Sequence, residues 1–262
     1  MSERVYFLDE NHSYTGCESG LRYESVSGVT KKVLEPPIDW GAILIRKAKR
    51  LGISPEELQA QWDEKRIKGT EAGTALHERE EQKLFESPFY FYQGDIYEVR
   101  GYETIGDKKL QTQNLEVGCL YPELILSLEK DHMRIAGQAD RVFIDSDGYV
   151  HCYDHKSDKS IEYEGFRGQG FKAPFNDIQN CNYNTYAVKC STYVYLTLAA
   201  NPQLKPGTIF IEHIPIERDD SGLPVWVDGM PVITGRWDIE IKYEEWEPVV
   251  KKVLNEYYKL TK

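Results

Sequence analysis

The chain has little cysteine and no cysteine pair at metal-ligand spacing. Its five cysteines, at positions 17, 119, 152, 181 and 190, are odd in number and contain no CxxC. That excludes a zinc ribbon and argues against a disulfide framework, and the scatter gives no iron–sulfur spacing. A reducing compartment is the expectation. Also missing is any apolar run of the length a membrane helix needs, so no membrane partner is expected. The opening residues MSERVYFLDE have neither an apolar signal core nor the Arg/Ser-rich, acid-poor character of a transit peptide, which predicts a cytoplasmic protein. There is no internal repeat and no low-complexity linker. An excess of positive charge is lacking too. The net charge of −11 argues against a protein that coats nucleic acid by bulk electrostatics.

What is present suits a folded, soluble chain. Hydrophobic residues make up 40% and charged residues 29% of 262 residues, enough for a sizeable core. Positive charge is local. Arg46-Lys47-Ala48-Lys49-Arg50 is followed by Lys65, Arg66 and Lys68, and on charge alone this reads as a solvated helix face.

The most informative stretch is Arg134–Lys159. Apolar Ile135, Val142, Phe143 and Ile144 predict a strand over Arg134–Ile144, and Tyr149, Val150, Cys152 and Tyr153 predict a second over Tyr149–His155. Asp145-Ser146-Asp147-Gly148 between them is a hairpin turn, because Asp-Gly supplies positive φ. Each strand carries one carboxylate, Asp140 and Asp154. Strand alternation puts Asp154 and Lys156 on one face and turns His155 away. Two carboxylates side by side repel, and a hard divalent cation such as Mg²⁺ or Mn²⁺ removes the conflict. A lysine beside such an ion can orient water or stabilise charge growing on a phosphate.

Gly137-Gln138-Ala139-Asp140 followed by Asp154-His155-Lys156 resembles the GxxD…(D/E)xK signature of the PD-(D/E)XK nucleases, nearest to the RecB-type exonuclease branch with its mitochondrial and phage members. The resemblance implies an α/β fold: a restriction-endonuclease-like core with a central mixed β-sheet flanked by helices and a helical N-terminal region. It covers Leu120–Ile214 best and Gly73–Glu81 less closely. On it the chain is one nuclease domain over 1–262: a mostly helical region 1–115, a catalytic core 116–217, and a C-terminal strand and helix 218–262.

Further residues follow from the same resemblance. Gly73-Thr74-Ala75-Leu76-His77 is similar to a segment that supplies a metal-proximal histidine, although a surface pair between His77 and Glu81 explains the spacing equally. Glu123, in an apolar run, fits the glutamate that precedes the GxxD strand. Ser157 fits the small hydroxyl residue after the lysine. The branch's QxxxY motif fits Gln179 and Tyr183, with Lys189 and Tyr193 as a second register that lacks the glutamine. The serine-rich segment before the first helix adds Ser27 and Thr30 as DNA contacts, against the plainer reading of Ser/Thr as helix caps.

The remaining elements are ordinary. Trp40–Leu51 reads as a basic amphipathic helix. Ser54-Pro55-Glu56-Glu57 opens another that reaches about Ile67, and Glu78 onward reads as helix again. Phe85–Tyr102 is aromatic, with core packing or a lid as the expectation. A helix over Asn176–Ala200, strands over Thr208–Glu217 and Val232–Ile241, and a helix over Tyr243–Tyr258 complete the chain.

The resemblance thus implies a Mg²⁺- or Mn²⁺-dependent deoxyribonuclease, without an iron–sulfur cluster, cutting DNA that is single-stranded or has a free end. Recombination, repair or phage DNA processing in a bacterial or phage setting is the implied role. Asp140 and Asp154 would bind the metal with His77, the His155 carbonyl and help from Glu123, and Lys156 would act on water and phosphate. Two other readings are an inactive DNA-binding or assembly module that kept the fold, and a glycosidase using a carboxylate pair.

Overall fold

The hairpin at the centre forms as its turn chemistry dictates. In the computed structural model, which describes residues 3–262, Asp145 accepts hydrogen bonds from the backbone N–H groups of Asp147 and Tyr149 at 3.0 and 2.8 Å, and Gly148 takes φ +80°. The chain runs β1 (Val5–Leu8), β2 (Ser13–Gly16), β3 (Arg22–Ser25), α1 (Val26–Leu34), α2 (Trp40–Leu51) and α3 (Pro55–Phe85). Then come β4 (Phe89–Tyr92), β5 (Asp95–Val99), β6 (Glu103–Ile105), β7 (Lys108–Leu110), β8 (Cys119–Lys130), β9 (Met133–Ile144) and β10 (Tyr149–Lys156). It closes with α4 (Asn182–Ala200), β11 (Lys205–His213), β12 (Trp226–Val227), β13 (Met230–Pro231), β14 (Trp237–Ile241) and α5 (Tyr243–Leu260).

Twelve strands form one curled mixed sheet, and β12 and β13 form a separate ribbon. β9 is the pivot. It pairs antiparallel with β8 along its whole length, from Cys119↔Ile144 to Lys130↔Met133. On its other edge β10 takes the C-terminal half, Arg141–Ile144, and β3 pairs parallel with Ile135 and Ala136. Asp140 therefore lies at the fork between the two partners. β10 continues the sheet in parallel to β11, and β11 pairs antiparallel with β14.

One face of the sheet carries the main core, where α1, α4 and α5 bury Val29, Val33, Val188, Val194, Val250 and Val253 against it. The opposite face holds two smaller clusters. The curl brings Val5, Phe7, Tyr14 and Tyr23 onto Ile125 and Ala136. Further along, Leu84 of α3 and Tyr97 pack on Leu120, Phe143 and Tyr153. Between these clusters the sheet is left uncovered, and the turns of α3 preceding Leu84 line the gap.

Several expectations are corrected. The region 1–115 is not mostly helical: besides α1, α2 and α3 it holds seven short strands. α3 does not stop near Ile67 but runs unbroken through Gly69 and Gly73. Each mid-helix glycine costs about 1 kcal/mol relative to alanine, and tertiary contact overrides that cost. α4 begins at Asn182 rather than Asn176, because the residues before it are engaged in loop hydrogen bonds such as Asn180 N–H to Gln169 O at 2.8 Å. β11 ends at His213, and the second C-terminal strand is only Trp237–Ile241. The aromatic segment is a β-hairpin, with Tyr97 in the core as expected. Among the described residues no helix is long and apolar enough to cross a membrane.

Candidate metal centre

The site is made by a matched break in two paired strands. Before it, Cys119, Tyr121, Val142 and Ile144 face the main core; beyond it, Leu124, Leu126, Ala139 and Ile135 do. The alternation thus slips by one residue on both strands, while the pairs Pro122↔Arg141 and Leu124↔Ala139 keep one register. Glu123 and Asp140 are the residues left over. Glu123 has φ +49°, a left-handed conformation costing about 1–3 kcal/mol for a non-glycine residue, which persists only where the surroundings enforce it.

This break brings Glu123 and Asp140 together with His77 of α3, and one ligand atom from each lies within 4.8 Å of the other two. His77 Nδ1 is 3.5 Å from Asp140 Oδ2, and the His155 backbone N–H donates to the same oxygen at 2.7 Å. Burial, and then the charges of Asp140 and Glu81, push the Glu123 carboxyl well above its ordinary range. The carboxylates are in electrostatic conflict, and a divalent cation held by one imidazole and two carboxylates relieves it. The donor set fits such an ion.

Asp154 is fully buried on the neighbouring strand. Its Oδ2 pairs with the Lys156 ammonium and its Oδ1 lies 3.3 Å from Lys189 Nζ. Burial raises its pKa, but the two ammonium groups outweigh burial and hold the carboxyl well below the usual carboxylate range. Lys156 also donates to the His155 carbonyl at 2.9 Å and sits 5.0 Å from the centre of the Tyr186 ring. Tyr186 in turn donates to Asp158 at 2.6 Å. Asp154 and Lys156 thus share a face as expected, yet Asp154 stands with the lysines and not in the three-residue cluster.

Gly137 has a steric reason. A Cβ there would lie 2.6 Å from the Tyr193 ring and 2.8 Å from Val26 Cγ2, so glycine lets α1 and α4 close on β9 just below Asp140. Behind the cluster, His155 Nδ1 is 2.6 Å from Glu212 Oε2, and Arg236 joins Glu212 at 2.5 Å to Glu80 of α3 at 2.8 Å. Burial raises Glu212, but His155 first, and then Arg141 and Arg236, bring its pKa down to about 2.

A cleft of about 930 Å³ opens over the cluster. His77, Glu123, Gln138 and Ser157 line it, and Lys65, Arg66, Lys109 and Arg218 supply cations around it. Gly69, Gly73 and His77 recur at four-residue spacing on the α3 face that borders the cleft, and Gly73 leaves room for Ser157, whose Oγ would be 3.4 Å from an added Cβ.

Of the residues expected at the site, His77, Glu123, Asp140, Asp154, Lys156, His155 and Ser157 converge. Thr30 does not: it is buried in α1 and donates to the Val26 carbonyl at 2.8 Å, so it has no free face for DNA. Ser27 is exposed on the first turn of α1, and Ser25 is the cap, accepting from Gly28 N–H. Ser27 is not among the residues lining the cleft. Gln179 accepts from Gly165 N–H ahead of α4, and Tyr183 packs on Tyr163 and Trp246. The second register is the one at the site, with Lys189 on Asp154 and Tyr193 against Gly137. Tyr186 and Asp158 were missed; their signal was position alone, one helical turn before Lys189 and two residues after Lys156. Comparison of the chain with protein-family profiles and with curated proteins finds no match.

Proposed function

We propose that this chain is a divalent-metal-dependent nuclease with a PD-(D/E)XK-type core, hydrolysing DNA phosphodiester bonds from a free end. The observation that carries the reading is the placement of His77, Glu123 and Asp140 at a sheet fork beside the buried Asp154–Lys156 pair. A glycosidase reading that takes Asp154 as its acid loses support, because a buried carboxylate held by two ammonium groups is a poor proton donor.

In this reading His77, Glu123 and Asp140 would hold Mg²⁺ or Mn²⁺, which would supply Lewis-acid polarisation of phosphate and water. Asp154 fixes Lys156 and Lys189 by charge. Lys156 orients the attacking water and stabilises the negative charge that grows on the phosphate oxygens. The His155 N–H holds one oxygen of Asp140 in place. Lys65, Arg66, Lys109 and Arg218 are the cations of the cleft that contact the backbone of the strand, interspersed with the carboxylates of Asp9, Glu78, Glu81 and Asp158.

The test is incubation with labelled linear DNA and with covalently closed single-stranded circles, in Mg²⁺, Mn²⁺ or EDTA. Metal-dependent shortening of linear DNA with circles left intact supports the whole reading. Rapid cutting of circles removes the free-end requirement, and no cutting under any condition favours an inactive binding module.

A further inference from the structure

α2 stands apart from the core. Of its twelve residues only Ala48 is buried. Its cations Arg46, Lys47, Lys49 and Arg50 form a local concentration of positive charge on a chain of net charge −11. Among the described residues none of the four lies in an ion pair, whereas Arg66 and Lys68 on α3 are paired to Asp63 and Glu71. Facing α2 is the turn Phe166–Gly168. There Phe166 is 76% exposed, and Arg167 takes φ +57° with its guanidinium 5.2 Å from the Phe166 ring. Between them lies a groove of about 430 Å³ lined by Ile43, Arg46, Lys47, Arg50, Phe166 and Arg167, with no carboxylate in the lining.

Four cations and one exposed aromatic ring are the two halves of a single-strand site: cations track the phosphates and an aromatic ring stacks an unpaired base. A duplex offers no free base face to Phe166. The groove is also tied to the cleft. Lys47 Nζ lies 5.2 Å from the Trp62 ring centre on α3, and Trp40 packs edge-on against the same ring. Lys65 and Arg66, about one helical turn beyond Trp62, line the metal cleft. We infer that the α2–Phe166 groove binds a single-stranded segment of the nucleic acid whose scissile phosphate lies at the metal centre, stacking a base on Phe166 and holding phosphates with Arg46, Lys47, Arg50 and Arg167. This rests on the nuclease reading and names the form of its substrate.

The test is fluorescence anisotropy of the full chain with an oligothymidine of about 16 nucleotides in EDTA, so that binding is read without cutting. Phe166→Ala should weaken binding about tenfold, the loss of one base stack. Arg46→Ala with Arg50→Ala should lower the slope of log affinity against log salt by about 1.4. Circular dichroism identifies a variant that misfolds, and Phe166→Tyr, which keeps the ring, should restore affinity. Single-strand affinity within about twofold of the parent in both variants overturns the site. So does unchanged oligothymidine binding together with lost binding to phosphatidylserine vesicles, which assigns the patch to lipid. Phe166-dependent binding by a protein that never cuts keeps the site and removes the nuclease reading, and cutting with unaltered Phe166→Ala binding does the reverse.

Discussion

Glu123 and Asp140 are the two residues skipped between the pairs Pro122↔Arg141 and Leu124↔Ala139 of the β8–β9 ladder, and their carboxylates meet beside His77. A carboxylate pair of this kind is costly without a cation. Glu123→Gln replaces an anionic oxygen ligand by a neutral amide oxygen, so calorimetric titration with Mn²⁺ should show affinity lower by about tenfold or more. The same variant without metal should be no less stable than the parent, because the repulsion is relieved. Equal Mn²⁺ affinity in variant and parent removes Glu123 from the ligand set.

Arg236 is the clamp between the two sides of the centre. Its guanidinium binds Glu212, which holds His155, and Glu80, which lies three residues beyond His77 on α3. Arg236→Met leaves two buried carboxylates short of a partner, and breaking a buried pair costs about 3–5 kcal/mol. Arg236 is partly exposed, so the lower end of that range is expected, read as a lower midpoint in urea unfolding.

Glu212 gives the pH dependence its sign. Its folded pKa of about 2 lies below the ordinary glutamate value of about 4.3. Its contribution is therefore fully present above about pH 4.3 and is lost as pH falls toward 2, amounting to about 2–3 kcal/mol. Urea unfolding of Glu212→Gln from neutral pH downward should show a flatter acid limb than the parent. Parallel acid limbs would place the acid sensitivity elsewhere.

The two QxxxY registers separate cleanly. Lys189→Met takes one ammonium from buried Asp154, and turnover should fall by about tenfold or more through the loosened Lys156. Gln179→Ala touches a loop hydrogen bond only and should leave turnover close to the parent. Loss in Gln179→Ala with full activity in Lys189→Met would reverse the assignment.

These registers show where the sequence is readable. The hairpin was legible because its signals are local: Asp-Gly at the turn and period-two apolar residues on each side. Trp40–Leu51 was legible because its amphipathic spacing is a local signal. The long α3 was not, since two glycines lower its propensity and only the packed fold overrides them. The left-handed backbone at Glu123 has no sequence mark at all. The Glu80–Arg236–Glu212 network joins residues far apart in the chain, and the choice of Lys189 over Gln179 depends on where α4 starts. Asp140, Asp154 and Lys156 were found as chemistry, but which of them gathers with His77 was decided by the sheet fork.

The most direct measurement is cleavage of end-labelled single-stranded DNA by the parent, Asp140→Asn and Lys156→Ala, each with Mg²⁺, Mn²⁺ or EDTA. The parent should cut only with metal. Asp140→Asn should lose cutting together with Mn²⁺ binding, and Lys156→Ala should keep Mn²⁺ binding while its turnover falls by about 10²-fold or more. Cutting that persists in EDTA, or at the parental rate in both variants, would contradict a metal-dependent nuclease built on this site.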